Sequence, residues 1–409
     1  MTKIAILSDV PKKGTSNPLA GSYGYVISNA IEQASDYNLK AFALYAEFPG
    51  HVPTGNPKGK GKNKVFFDWQ GLKESPHVKD LEEQLDAFQP DIIIGLGNFV
   101  LKYLKDNPDP LDKERGSHFW DFKGRLCLVT HHPRETFLRF YLTYILQHDI
   151  LKACDLAKKS ESELRPNYNI NFLPTYEQVL EKLNLFIRTK PLLAVDIETH
   201  YKCGKPELEG RMSCLGIAWS ERDAIVIPFV SDKDGSKPYW RLEEEIEIRK
   251  LLAECLRACA MIGHNALHFD HAMLLSREGI QANFIEDSMA MQWSLYPEFP
   301  KSLAFCSSLY TNNPYWKDQL KKATSRERWR EFEYNGRDCI VTYQVYKAMK
   351  KEFGEREVSI HEHYRFNMRA SRAYQYMSFM GCHIDQKKLS DRKEELQDTI
   401  EKAQVGVYL

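Results

Sequence analysis

A chain of 409 residues, 43% hydrophobic and 12% aromatic, is long enough for two to four domains with buried cores, which excludes the disordered and fibrous classes. Its 56 Lys and Arg balance 56 Asp and Glu, so no whole-molecule field draws it onto nucleic acid and any such site must be charged locally. Nine cysteines without a CxxC pair argue against a zinc or iron–sulfur framework, and their odd number fits a reduced, cytoplasmic chain.

In chain order, MTKIAILSDVP opens with an apolar stretch too short for a signal peptide. No uncharged apolar run anywhere approaches the roughly 18 residues of a membrane span, so no membrane partner is expected. IAILSD reads as a buried strand, followed by a Pro/Gly/Ser/Asn loop to Gly24 and a helix in YVISNAIEQA. A second strand, KAFALYA, precedes PTGNPKGKGKNK, where Lys58, Lys60, Lys62 and Lys64 alternate with small residues in a mobile basic loop. After VFFDW come the helix HVKDLEEQLDAF, the strand PDIIIGLGN, the helix VLKYLK, the strand RLCLVTHHP and one long helix from about Arg134 to Lys158. This alternation predicts an α/β unit over 1–158.

Polar SESELRPNYNIN marks a linker at 159–172. A second α/β unit is expected over 173–353: helix TYEQVLEKLNLFI, buried strand PLLAVDIET, antiparallel strands RMSCLGIAW and AIVIPFV, helix EEEIEIRKLLAECLRAC, strand AMIGHN, helix HFDHAMLLSREG, then a run of helices. From 354 to 409 the pattern is helical apart from a turn at MGCHID, and the final VGVYL carries no helix stop, which suggests an excerpt from a longer chain.

The chemistry concentrates in acids. Asp196 and Glu198 stand two apart on a strand, so both carboxylates face one side of the sheet; two like charges held together on a buried strand call for a divalent cation, although a strand end emerging into solvent also carries such pairs. Asp270 follows another short strand, with Asn265 five residues earlier, suited to holding a loop or bonding a substrate. Asp338 lies four residues after Tyr334 on a helical pattern, so phenol and carboxylate share a face, either to orient a water beside a metal or as a plain surface pair. Oxygen ligands from three segments suit two Mg²⁺ or Mn²⁺ ions about 4 Å apart, the arrangement that serves phosphodiester hydrolysis. The basic stretch KDQLKKATSRERWR, six Lys/Arg against two acids, offers Trp329 as a stacking ring on a single-stranded backbone, or else is a solvated helix face.

Asp196-x-Glu198, Asn265-xxxx-Asp270 and Tyr334-xxx-Asp338 resemble, in order and context, the three exonuclease motifs of DnaQ-like 3′–5′ exonucleases in the version carried by family A DNA polymerases. DSMAMQWSLYPEFPKSLAFCSSLYT and the following Trp316-Lys317 resemble the segment between the second and third motifs, and MSFMGCHIDQKKLSDRKEELQDTI is similar to the helical entry into a polymerase thumb; nothing resembles the palm aspartates or the nucleotide-binding helix. The resemblance implies an RNase H-like fold over 173–353, with Asp196, Glu198, Asp270 and Asp338 as metal ligands, Tyr334 positioning the attacking water and Asn265 as a substrate or structural contact. His200, His264 and His268 stand near the motifs, and a histidine base is the alternative to Tyr334.

LSDVP followed by AGSYG, then PDIIIGLGN and THHPR, resemble the uracil-DNA glycosylase superfamily. Asp9 matches its acid, but Leu19 or Ala20 stands where a phenylalanine is expected, no Thr-Asn pair follows KAFALYA, and the cluster cysteines are missing, which implies a non-catalytic domain in which His132 and Arg134 contact DNA or serve as structural loop residues. Together these resemblances imply the N-terminal part of a replicative, phage-type DNA polymerase, located in the host cytoplasm, acting on single-stranded 3′ ends and primer-template DNA beside the remainder of its own chain. A free-standing RNase D-type ribonuclease and a non-enzymatic DNA-binding fragment are the alternatives.

Overall fold

The computed structural model describes residues 2–8, 22–32, 37–44, 72, 75–106, 108–199, 210–232, 235–318 and 328–407. Asp9, Leu19, Ala20, the basic loop at 58–64, VFFDW, His200, Cys203 and residues 319–327 of the basic stretch lie outside the described residues.

The chain builds two sheets. In the first, β1 (Thr2–Ser8), β2 (Tyr37–Ala43), β3 (Ile92–Leu96), β4 (His118–Trp120) and β5 (Leu126–Thr130) run in the order β2-β1-β3-β5-β4, parallel except for β4. Period-2 geometry divides β1 between two cores: Ala5 and Leu7 pack with Val78, Leu81 and Leu85 of α2 (Pro76–Phe88) and Val100 and Leu104 of α3 (Asn98–Leu104). Ile4 and Ile6 pack on the other face with Ile27 of α1 (Ser22–Glu32) and Leu146 and Ile150 of α4 (Leu142–Leu156). Burial on both faces explains the continuous apolar runs of β1 and β3.

Two expectations are corrected here. The single helix over 134–158 is two pieces, a turn at Pro133–Thr136 and α4, because i→i+3 bonds such as Leu142 N–H to Arg139 O carry the chain around a corner between them. The linker at 159–172 contains a helical turn at Glu161–Leu164 and a strand, β6 (Asn169–Asn171), which pairs parallel with the edge of the second sheet. Short β4 escaped the sequence reading because three residues carry no periodicity.

The second sheet adds β7 (Leu193–Thr199), β8 (Met212–Ala218), β9 (Asp223–Pro228), β10 (Met261–Gly263) and β11 (Phe284–Asp287), in the order β11-β10-β7-β8-β9-β6. β7, β8 and β9 form an antiparallel meander while β10 and β11 lie parallel to β7, which is the RNase H-like arrangement with β6 added at one edge. On one face Val195 and Ile197 pack with α5 (Tyr176–Thr189) and α6 (Leu242–Ala258). A capping box at Thr175 and Gln178 starts α5.

The chain continues through α7 (Asp270–Glu278), α8 (Ser288–Leu295), α9 (Leu303–Tyr310) and α10 (Trp329–Gly354). α10 covers the other face of the sheet, burying Phe332, Asn335, Gly336, Cys339 and Ile340 along one stripe. Two glycines set how near it comes. A Cβ on Gly216 of β8 would stand 2.4 Å from Asn335 Oδ1, and one on Gly336 would stand 2.5 Å from Ile170 Cγ2. α11 (Val358–Met380) closes on this body through Gln375, which donates to Leu267 O at 2.8 Å, whereas α12 (Gln386–Val407) is exposed at every position from 386 to 404. No described helix is long and apolar enough to cross a membrane, and none of the described cysteines forms a disulfide.

The two sheet units touch directly. Leu142 and Ile145 pack on Phe305, the buried Lys152 Nζ donates to Ser308 O at 2.7 Å, and Tyr315 OH donates to Asp109 Oδ2 at 2.8 Å.

Candidate active site and metal centre

β7 and β10 are the parallel neighbours from which the sheet grows in opposite directions, and their pairing stops at Ala194. Beyond that point β10 no longer pairs with β7, and the carboxyl ends of strands at such a switch point are where open α/β sheets bind ligands. Asp196 and Glu198 are the next residues of β7 on the α10 face, opposite Gly216 and Cys214 of β8. Asp338, one turn after Tyr334 on α10, reaches the same place. Ligand oxygens of Asp196, Glu198 and Asp338 all lie within 4.8 Å of one another.

Each acid is held by a different element. Asn335 donates Nδ2 to Asp196 Oδ2 at 2.8 Å. Asp338 Oδ1 accepts from the indole of Trp316 at 2.6 Å, and Oδ2 accepts from Lys317 Nζ. Asp270 begins α7, where the helix N-terminus favours a carboxylate, and its Oδ1 accepts the Ile197 backbone N–H at 2.8 Å, a bond that β10 would have supplied had it continued. Asp270 thus stands apart from the three clustered acids, although the charge of Asp196 reaches it.

The electrostatics follow from burial and repulsion. Burial, then the charge of Asp338, pushes Asp196 up to about 7. Burial and the charge of Asp196 raise both Glu198 and Asp270 well above the usual carboxylate range. Such a cluster is costly as bare anions and is neutralised by a cation. Because the donors are hard anionic oxygens with no histidine or cysteine among them, the residues present fit Mg²⁺ or Mn²⁺ rather than a softer metal.

Tyr334 is buried, its phenol is raised first by that burial and then by Asp338, so it keeps its proton, and its oxygen accepts from Lys317 Nζ at 2.6 Å. Of the histidines, His268 is exposed. His264 Nδ1 meets Ser288 Oγ at 2.8 Å, and burial lowers its pKa to about 4, which leaves a neutral ring.

Asn265 sits in the left-handed region at φ 64°, a conformation asparagine tolerates. The carboxylate of Asp287 holds this loop by accepting the N–H groups of Asn265 at 3.1 Å and Ala266 at 2.7 Å while it also caps α8. Trp329 is partly exposed but stacks on Phe172, with centroids 6.0 Å apart. In the first unit His132 is buried; its Nδ1 accepts from Arg134 N–H at 3.1 Å as a helix cap, and its Nε2 lies 3.3 Å from Ser8 Oγ. The Arg134 side chain is exposed.

The contacts that four neighbours make with the site escaped the sequence reading. Asn335 reaches Asp196 across 139 positions and Asp287 reaches Asn265 across 22, although an acid just before a helix is a legible capping signal for Asp287. Trp316 and Lys317 stand out as a dipeptide, but nothing local shows that both address Asp338.

No protein-family model matches the chain, and no curated protein matches it. Solved structures do. The catalytic core of RRP6 from Trypanosoma brucei is 16% identical, covering 65% of this chain and 69% of that one, with a TM-score of 0.36. Escherichia coli RNase D, an exoribonuclease involved in structured RNA processing, is 12% identical over 51% of this chain and 50% of its own, with a TM-score of 0.32. Brucella melitensis NrnC, solved with bound Mg²⁺, is 18% identical over 53% of this chain and 94% of its own, with a TM-score of 0.31.

Proposed function

We propose that this chain is a metal-dependent 3′–5′ exonuclease that hydrolyses phosphodiester bonds at single-stranded 3′ ends. The observation that carries the reading is the convergence of Asp196, Glu198 and Asp338 within 4.8 Å at the switch point of an RNase H-like sheet, with Tyr334 one helical turn before Asp338. In this reading Asp196, Glu198 and Asp338, together with Asp270, hold two divalent ions. Bound there, the ions would activate a water as nucleophile and offset the charge on the departing 3′ oxygen. The protonated phenol of Tyr334 orients that water; Asn265 contacts the terminal nucleotide, and Trp329 with its basic surroundings follows the strand behind it.

Two readings of the substrate remain distinct. The motif order and contexts support DNA, as the proofreading portion of a family A polymerase with a non-catalytic glycosylase-like unit over 1–158, in which Arg134 is a DNA contact and His132 supports its loop. An RNase D-type ribonuclease agrees with the names of the structural neighbours, RRP6 and RNase D.

The test is Mg²⁺-dependent shortening of 5′-labelled single strands, DNA and RNA of one sequence side by side, with an Asp196→Ala/Glu198→Ala variant and an EDTA control. A ladder receding from the 3′ end, lost in the variant and with chelator, is expected. Faster loss of RNA selects the RNase D-type reading, and faster loss of DNA selects proofreading. Folded protein that binds Mg²⁺ and shortens neither strand overturns the exonuclease reading.

A further inference from the structure

Asp338 is gripped from both sides by consecutive residues. The indole N–H of Trp316 holds Oδ1 at 2.6 Å, and the ammonium of Lys317 holds Oδ2 while donating to Tyr334 OH at 2.6 Å. The two grips differ in freedom. Trp316 is 1% exposed and fixed in the core, whereas the Lys317 side chain is 25% exposed, lies over the Tyr334 ring with Nζ 4.7 Å from its centroid, and ends on a flexible stem. Trp316 is therefore a positioning residue for one oxygen of Asp338, and Lys317 is a movable cation on the other.

A divalent ion bound through Asp338 competes with that ammonium for the same carboxylate. The ammonium has a second partner to keep it in the site, the phenol oxygen of Tyr334. A phenol whose oxygen accepts from a cation has its own proton left to give, and gives it more strongly.

We propose that Lys317 is a catalytic residue of this site: released from Asp338 Oδ2 when divalent ions bind, its ammonium stays on Tyr334 OH and contacts a non-bridging oxygen of the scissile phosphate. The proposal rests on the exonuclease reading. In the reaction the water oxygen bonds to phosphorus and the P–O3′ bond breaks, giving a nucleoside 5′-monophosphate and a strand ending in a 3′-hydroxyl. The proton lost by the water passes to solvent, O3′ takes one from solvent, and Lys317 keeps its own. Its charge lies beside the phosphoryl oxygens, where negative charge builds in the transition state.

The experiment compares Lys317→Met, Lys317→Gln and Lys317→Arg with the parent chain. Mn²⁺ binding is followed by calorimetry without nucleic acid, and single-turnover shortening of a labelled single strand is followed at saturating Mn²⁺. Loss of the competing ammonium is expected to tighten Mn²⁺ binding about fivefold, the effect of one unit charge at ~4 Å in a water-like medium. The same Met and Gln variants are expected to cleave about 100-fold more slowly even when saturated with metal, as when one oxyanion donor is removed, with partial rescue by Arg. A bystander counter-ion would tighten metal binding and leave the saturated rate within twofold of the parent, and that result overturns the proposal. Unchanged Mn²⁺ affinity overturns it as well, and does so whether or not the chain cleaves. A parent chain that binds Mn²⁺ but shortens no strand, with tighter binding in Lys317→Met, identifies the exonuclease reading as the part that failed and removes the catalytic role with it.

Discussion

Asn335 spans Asp196, donating Nδ2 to its side-chain Oδ2 at 2.8 Å and to its backbone O at 3.2 Å, and so ties the centre of α10 to the strand that carries the first acid. The side chain is fully buried, so these bonds have no water to replace them. Asn335→Ala is expected to cost about 1–3 kcal/mol of stability and to weaken metal binding, because Asp196 loses a hydrogen bond that favours its ionised form. Chemical denaturation and calorimetry with Mn²⁺ measure the two effects separately.

The same helix contact depends on the absence of a side chain at Gly216, where a Cβ would stand 2.4 Å from Asn335 Oδ1 and 2.6 Å from Cys339 Sγ. Gly216→Ala is expected to lift α10 from β8 at a cost of about 1–3 kcal/mol and to lower activity with it. Gly124→Ala is the control: a Cβ there meets nothing within 4 Å, so any cost comes only from its φ of 79° and leaves catalysis alone.

Removing one acid should improve the metal-free protein. Asp196 is half-buried beside Asp338 and Glu198, and like charges in that position oppose folding. Asp196→Asn is expected to raise the melting temperature without metal by about 1 °C for each kcal/mol relieved in a chain of 409 residues. Mg²⁺ should raise the melting temperature of the parent chain and leave that of the variant unchanged. Thermal melts with EDTA and with Mg²⁺ provide the comparison.

The first unit carries its own buried charge pair. Burial alone would raise the Asp149 carboxyl, but the Arg115 guanidinium and His148 outweigh it and hold the group down at about 2; Arg115 Nε donates to Oδ2 at 2.9 Å and Thr130 Oγ1 donates at 2.6 Å. Because the folded value is depressed below the ordinary 3.8, this contribution to stability is whole above about pH 4 and is lost as pH falls toward 2. Arg115→Met leaves the carboxylate buried without its partner and is expected to cost about 3–5 kcal/mol at neutral pH. The difference from the parent chain should shrink on acidification, as urea titrations at pH 7 and pH 3 would record.

Periodicity and local chemistry determined a good deal by themselves. Alternation within IAILS and the apolar run of PDIIIGLG mark strands buried on two faces, and the residue types and spacings of Asp196, Glu198, Tyr334 and Asp338 announce a cation site, because period 2 on a strand and one turn of a helix are geometry that sequence carries directly. Tertiary structure alone decided the rest. β6 lies within a polar stretch and exists because β9 offers an open edge. Asp270 is set apart from the cluster because β10 ends early and leaves the Ile197 N–H to be satisfied. Asn335, Trp316 and Lys317 gain their roles only when α10 descends onto Gly216 and brings Asp338 to Asp196, 142 positions away in the chain. Such contacts depend on the packing distance between a helix and a sheet, which no local pattern of residues encodes.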